Sequence, residues 1–405
     1  MKHRVLLAHN YYRSSIPSGE AQVVAAETSL LKQHGHPVKG FFRSNDELLD
    51  KHILGQLKGA LSTPWNPFSA KSCKRAVSEF NPDVVHVHNT FPLFSPGIFH
   101  SIGTSAARVL TLHNYRLFCP AGTPLRNGMV CTQCIDQKSV LPALKYGCYR
   151  DSRLATIPVA LGVALHRNIS TWKNQVDAFI ALTEFQRNIM IEAGLPPELV
   201  HVKPNFYPEN VSLTSWEERR DNVIYAGRLT PGKGIESLVQ AWMMWGASAP
   251  ELRIAGDGEL RHSLERMAAA HPEVKISFLG QLPGDEARKE IARSRLLVLP
   301  SLSLETFGLV ILEAFASGTP AAVSDVGPLA SIVQDGENGI VFSPGNPRSL
   351  LDTIQNAWEK QGKLKYLATG ARRSFETCYT EDVNYIRLME IYEQAIEVSR
   401  SRKAQ

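Results

Sequence analysis

An arginine and a lysine five residues apart stand in Gly227-Arg228-Leu-Thr-Pro-Gly-Lys233-Gly234, directly after the apolar run Asn222-Val-Ile-Tyr-Ala226. Glycines let backbone amides approach a ligand closely, and two cations at the mouth of a following helix suit a phosphate group. The spacing is not that of a P-loop, and no G-x-G-x-x-G follows any predicted strand. A second constellation follows Leu296-Leu-Val-Leu299: Pro300-Ser-Leu-Ser-Leu-Glu305-Thr-Phe-Gly308-Leu-Val-Ile-Leu-Glu313-Ala-Phe-Ala-Ser-Gly318-Thr-Pro320. A helix predicted to begin near Gly308 and to stop at Gly318 and Pro320 offers free first-turn amides and a dipole to an anion such as a diphosphate. Glu313 falls among apolar neighbours, where an ionised carboxylate needs hydroxyl or cationic partners. Continuous helix would separate Glu305 and Glu313 by roughly 12 Å of rise, so the pair suits two ends of an extended ligand. The plain structural alternative is a capping acid at Glu305 and an exposed Glu313.

Such groups need a scaffold that gathers the ends of several strands, and the rest of the chain carries its pattern. Arg4-Val-Leu-Leu-Ala8, Val38-Lys-Gly-Phe-Phe42, Asp83-Val-Val-His-Val-His88, Val109-Leu-Thr-Leu112, Phe179-Ile-Ala-Leu182 and Val200-His-Val202 read as buried strands, with helical patterns such as 20–33 and 184–193 among them. The series restarts with Asn222–Ala226, Leu252-Arg-Ile-Ala255, Val274-Lys-Ile-Ser-Phe278, Leu296–Leu299 and Ala321-Ala-Val323. Buried strands alternating with amphipathic helices build parallel sheets, so the expected class is α/β: two facing Rossmann-like doubly wound domains with a deep interdomain cleft as the ligand site. The expected boundaries are 1–205, 206–380, and a C-terminal helix at 381–405 packing back on the first domain. Lys203-Pro-Asn-Phe-Tyr-Pro208 and the polar stretch ending Glu217-Glu-Arg-Arg-Asp221 read as linker, and Asn346-Pro347 opens a largely helical region to about residue 398.

Composition narrows the function classes. With 405 residues, 43% hydrophobic and 20% charged, the chain is neither disordered nor fibrous. Its most apolar stretch, Leu154 to Leu165, is shorter than the roughly 20 residues of a membrane span, and a cytoplasmic protein is expected. Residues 1–205 carry 22 Lys and Arg against 13 Asp and Glu, whereas residues 206–405 carry 22 against 26. A basic first half suits an anionic membrane surface or a phosphate-bearing acceptor. Nucleic acid is not expected, for there is no arginine-rich stripe with interleaved aromatics.

Together, Gly227-Arg228…Lys233-Gly234, Gly256-Asp257-Gly258, Phe278-Leu-Gly280 and Pro300-Ser…Glu305-x7-Glu313…Gly318-Thr-Pro320 resemble the retaining nucleotide-sugar glycosyltransferases of family 4, which have the two-domain GT-B fold. The resemblance covers nearly the whole chain and is strongest over residues 222–342. It implies that Arg228 and Lys233 bind the donor diphosphate, and that the amides of Phe307, Gly308 and Leu309 touch phosphate or sugar. By the same resemblance Glu305 holds donor-sugar hydroxyls, Glu313 takes the ribose hydroxyls, and the loops at Gly256–Gly258 and Gly280–Leu282 flank the base. His113, at the end of Val109-Leu-Thr-Leu, matches the active-site histidine beside the donor sugar. Where many relatives carry a glycine pair before the first helix, this chain has Ser18-Gly19, and Gly19 supplies the close backbone approach; Gly327-Pro328 likewise replaces a pair. Also implied are a UDP- or GDP-sugar donor, retention by front-face attack, and no catalytic cofactor or metal. The acceptor would be a glycan or lipid-linked molecule in surface polysaccharide or glycolipid biosynthesis.

Other residues leave alternatives open. His86, His88 and Asn89 either face the acceptor or satisfy backbone groups. Cys119, Cys131, Cys134 and Cys148 lie in an insertion at about 115–150, and C-x11-C-x2-C-x13-C suits a structural zinc, with unligated thiols or redox pairs as the other readings. The basic and apolar stretch from Arg150 to Lys173 either lies on the inner membrane surface or is an ordinary amphipathic core helix. Two further functions stay open: a nucleotide-sugar epimerase or phosphorylase on the same fold, and a non-catalytic nucleotide-sugar-binding scaffold.

Overall fold

The structure is a computed structural model that describes residues 1–12, 18–49, 55, 59–207, 211 and 213–404. Residues 13–17, in the loop before Gly19, and Pro208 of the expected linker lie outside the described residues.

Runs that are apolar on both faces bury on both faces, and here they form parallel sheets. The first strands are β1 (Val5–Tyr11), β2 (Val38–Ser44), β3 (Val84–Asn89) and β4 (Ala107–Thr111). A short hairpin, β5 (Leu125–Arg126) and β6 (Met129–Val130), precedes β7 (Ala178–Ala181) and β8 (Val200–Val202). The first sheet runs β2-β1-β3-β4-β7-β8, parallel throughout. The second series is β9 (Arg220–Ala226), β10 (Glu251–Ala255), β11 (Ile276–Gly280), β12 (Ser294–Leu299), β13 (Ala321–Ser324) and β14 (Gly339–Phe342), in the order β11-β10-β9-β12-β13-β14, also parallel. Sequence reasoning anticipated every strand of the two sheets except β14, which follows the turn-rich Asp335-Gly-Glu-Asn338 and starts on a glycine.

In each sheet the strand order reverses once, between β1 and β3 and between β9 and β12. Loops leaving those neighbours turn to opposite faces and open a crevice at the carboxyl ends, which fixes where side chains can converge on a ligand.

By its contacts the chain divides into Met1–Pro124, Thr132–Pro204 and Asn384–Gln405 as one unit, and Leu125–Cys131 with Asn205–Val383 as the other. The hairpin therefore interrupts the expected contiguous 1–205 domain. A two-stranded hairpin has no core of its own, so chain order does not decide which unit it joins. The first unit packs Val5, Leu7, Val84, Val109 and Ile180 against Leu388, Ile391, Tyr392 and Ala395 of the helix Glu381–Ala404. In the second, Val223, Ile254 and Leu296 pack with Leu238, Trp242 and Ile354. Helix starts follow side-chain capping: Ser18 accepts from the Ala21 amide, and Asn346 accepts from Ser349 with Pro347 in the first turn.

The first unit also contains a buried ion pair. Arg108 of β4 donates through Nε and Nη2 to both oxygens of Asp177 at 2.8 and 2.9 Å, and Arg402 of the C-terminal helix reaches Asp177 Oδ1 at 3.0 Å. Removing the acid would leave the buried Arg108 guanidinium without its carboxylate, while Arg402 keeps the carbonyls of Lys173, Asn174 and Val176. Asp177→Ala should destabilise the protein by about 3–5 kcal/mol, read as a lower melting temperature; an unchanged transition would show that these arginines are satisfied without it.

Candidate functional site

In the second unit the predicted loops meet at the β9/β12 reversal. Tyr225 of β9 donates its hydroxyl to the Arg228 carbonyl at 2.7 Å, which fixes the turn that presents the exposed Arg228 side chain. Pro231–Lys233 forms a 3₁₀ turn, and Gly234 follows with φ of 66° before the helix Ile235–Trp245. A Cβ on Gly234 would stand 1.9 Å from the Pro300 carbonyl oxygen, and one on Gly256 1.9 Å from that of Gly227. Glycine at these two positions is what lets the loops after β9, β10 and β12 close on one another. The Leu302 amide then donates to the Gly232 carbonyl at 3.0 Å, and the Gly256 amide to Gly280 at 2.7 Å. Gly258 belongs to the same loop as Gly256, while Leu282 lies partly buried in the segment after β11.

This convergence pairs Lys233 with Glu305. The ammonium donates to Glu305 Oε1 at 2.5 Å, and Ser301 Oγ donates to the same oxygen at 3.0 Å. The resemblance assigned the lysine to diphosphate and the glutamate to sugar, and the structure adds that the two neutralise each other. Leu309–Ala316 is helical, as expected, with Gly308 as a left-handed N-cap and no side-chain cap. Its first turn thus carries the positive end of a helix dipole next to buried Phe307. Glu313 sits one turn on, where burial raises its pKa and the charge of Arg288 opposes the rise.

In the first unit the β1/β3 reversal gathers titratable side chains. His113, just beyond β4, is half-buried and its Nε2 lies 3.0 Å from His88 Nδ1. His88 Nε2 in turn lies 3.3 Å from Glu27 Oε1, off the line of a straight hydrogen bond. His86 Nδ1 lies 2.8 Å from both Glu27 Oε1 and the Tyr392 hydroxyl. Lys203 donates to Glu27 Oε2 at 3.2 Å and to Asn384 Oδ1 at 3.1 Å. Full burial acts to raise the Glu27 pKa, yet Lys203 and the two histidines hold it well below the usual carboxylate range. Burial, with neighbouring histidines, lowers His113 far below its ordinary value and pushes His9 to about 3 and His86 to about 4. Glu20, in the first turn after Gly19, is instead pushed up to about 8 by burial, against the charge of Arg116. His9 Nδ1 stands 3.7 Å from its carboxylate.

Glu27, Lys203, His9 and Glu20 were not among the residues singled out from the sequence. The signal for Glu27 was there, for it occupies the middle of the buried stripe Val23, Val24, Glu27, Leu30 and Leu31 of the helix Gly19–Gln33. Glu27, His86 and His88 are the only described residues whose ligand atoms gather, three together, within 4.8 Å. Lys203 already supplies their cation, which leaves no uncompensated charge for a divalent ion. The four cysteines do not meet that criterion and form no disulfide. Cys119, Cys134 and Cys148 do lie near enough to interact, since burial first and then those two neighbours push the Cys119 thiol up to about 12.

Two family models match the chain, "Glycosyltransferase Family 4" over residues 17–210 and "Glycosyl transferases group 1" over residues 210–374. Among similar proteins, an uncharacterized glycosyltransferase of Methanocaldococcus jannaschii is 33% identical over 201 residues, 45% of this chain and 50% of that protein. The sulfoquinovosyl transferase of Arabidopsis thaliana is 25% identical over 329 residues, 76% of this chain and 57% of that one. The chain thus spans about half the length of these relatives. Among solved structures, Anabaena HepE in complex with UDP and glucose aligns with a TM-score of 0.63 at 20% identity, over 96% of this chain and 99% of its own. Sucrose-phosphate synthase of Thermosynechococcus elongatus aligns with a TM-score of 0.66 at 15% identity, over 97% and 100%. The fold is GT-B.

The buried titratable groups set a pH profile. Histidines held below 6.5 are neutral in the folded state but bind protons once unfolded, so their stabilisation is complete above pH 6.5 and is lost as pH falls through about 4. Glu20, held protonated up to about 8, binds more protons folded than unfolded, so its contribution is lost as pH rises from 4.5 through 8. Several histidines outweigh one glutamate below pH 6.5. The melting temperature should peak at about pH 6.5 and decline on both sides; a steady rise from pH 6.5 to 8 would contradict the state assigned to Glu20.

Proposed function

The chain belongs to the glycosyltransferases of family 4, and on that premise we propose that it transfers a hexose from a UDP- or GDP-sugar to a glycan or lipid-linked acceptor, with retention of configuration and without a catalytic metal. We place this activity in the cytoplasm, with peripheral contact to the inner membrane surface, in the building of surface polysaccharide or glycolipid.

The observation that carries the reading is the pairing of Lys233 with Glu305 at the β9/β12 reversal, with Arg228 on the same loop as Lys233 and the uncapped N-terminus at Gly308 close by in sequence. The leaving group is a nucleoside diphosphate whose charge grows as the anomeric bond breaks. Fixed cations and amides placed where that charge develops stabilise the transition state more than the ground state. Arg228, Lys233 and the amides of Phe307, Gly308 and Leu309 supply them. Glu305, released from Lys233 when diphosphate arrives, becomes an acceptor for sugar hydroxyls, and Glu313 takes the ribose. In front-face attack the acceptor oxygen bonds to the anomeric carbon as the carbon–phosphate-oxygen bond breaks, and the acceptor proton passes to the departing diphosphate. A neutral His113 can donate to or accept from a sugar hydroxyl without adding charge. HepE, bound to UDP and glucose, makes a UDP-sugar the first donor to test.

Arg228→Ala should lower turnover by about 10²–10³, the cost of one electrostatic donor at a developing oxyanion. A thermal-shift panel of UDP, GDP, ADP, CMP and dTDP should show one diphosphate raising the melting temperature of the wild type but not of Arg228→Ala. A wild type indifferent to all five would defeat the donor-site assignment and favour a scaffold.

A further inference from the structure

The helix Arg153–Asn168 is apolar on both sides. Thr156, Val159, Ala160, Gly162 and Val163 are buried on its inner face. Its outer face carries Leu154, Ile157 and Leu161 at helical spacing, with Leu154 81% and Leu161 57% exposed. Leu141 and Tyr146, from the helix Leu141–Tyr146 packed against it, are exposed as well. A lone surface leucine needs no explanation, but a row of them on one helix marks an interaction face.

Charge selects the partner. Between residues 137 and 176 stand Lys138, Lys145, Arg150, Arg153, Arg167 and Lys173, with Asp151 as the only acid. Every one of these cations except Arg167 is exposed. A second copy meeting this face about a two-fold axis would set cations against cations. Anionic lipid headgroups instead satisfy the cations while the leucines enter the acyl boundary.

The inner face of the same helix walls a cavity that opens to solvent. Val159, Val163, Leu110 and Trp172 line it with apolar surface, and the lining also takes in His88, His113 and Arg116. A wholly hydroxylated acceptor would leave that wall without partners, whereas a methylene chain fills it. Resting on the glycosyltransferase reading above, we propose that this helix lies on an anionic bilayer and that the cavity receives the apolar chain of a lipid-linked acceptor, whose polar end is held beside His113.

Three measurements on the full chain separate the parts of this claim. The wild type should co-sediment with vesicles containing phosphatidylglycerol and not with phosphatidylcholine alone; equal binding to both, or to neither, overturns the bilayer assignment. Leu154→Ser/Leu161→Ser should weaken that binding by about tenfold or more at an unchanged melting temperature, and unaltered binding overturns the choice of helix. A 12-bromododecyl phosphate should quench tryptophan fluorescence in the wild type and not in Trp172→Phe, and quenching that survives the substitution places the chain elsewhere. Nucleotide thermal shifts on the same preparations distinguish failure of this inference from failure of the donor site, because neither variant touches Arg228, Lys233 or Glu305.

Discussion

A carboxylate in a protein interior is stable only when cations or hydrogen-bond donors replace the water it has lost, and Glu27 imposes that demand on the first unit. Its partners come from distant parts of the chain: Lys203 at the end of β8, His86 and His88 from β3, and, through Lys203 and His86, Asn384 and Tyr392 of the C-terminal helix. Asn384 also donates to the Pro204 carbonyl at 2.6 Å. The helix Glu381–Ala404 therefore does more than cover the sheet with Leu388 and Ile391. It completes the shell of a buried charge. His113 leans on that shell through His88, so the imidazole that the resemblance marks for the sugar is oriented by a residue two contacts away from the ammonium of Lys203.

The second unit builds its site by a different means. There the positioning device is backbone proximity: Gly234 against Pro300 and Gly256 against Gly227, with no room for a single added methyl. Side chains enter only at the tips, as Arg228, Lys233, Ser301 and Glu305. The difference matches the ligands that the proposed function gives each half. A diphosphate is recognised by amides and point charges, which need the main chain close by. A neutral hydroxyl beside a histidine needs instead that the histidine keep one protonation state, which burial and neighbouring imidazoles enforce.

Much of this was legible in the sequence because the relevant signals are local. Strand runs are apolar on both faces in parallel sheets, and loop residues follow their strands directly, so Gly227–Gly234 and Pro300–Glu305 could be placed at strand ends before any coordinates. The resemblance supplied roles for Arg228, Lys233, Glu305 and Glu313, and the structure brings the first three to one reversal of strand order. What escaped was non-local. Lys203 reads as a linker residue because its partner Glu27 is 176 positions away. Glu27 itself breaks an apolar stripe, a local signal that only acquires meaning once β3 brings two histidines against it. The strand β14 was missed for a related reason, since Gly339-Ile-Val-Phe342 is defined by its pairing with β13.

The Lys233–Glu305 pair shows how a site can be ready for an anion without repelling its own parts. Left apart, an ammonium and a carboxylate in a half-buried crevice would each retain water that a ligand must strip away. Held together, they replace part of that hydration with each other, and Ser301 takes up a further lone pair of the carboxylate. In the function proposed above, an arriving diphosphate would carry more charge than the carboxylate and compete for the same ammonium, so that the cost of freeing Glu305 is offset by the stronger pair formed. The freed carboxylate would then be an unsatisfied acceptor, for which a sugar hydroxyl is a matching donor. Diphosphate and sugar recognition would be coupled in that arrangement, because neither Lys233 nor Glu305 is fully available until the other has found a new partner.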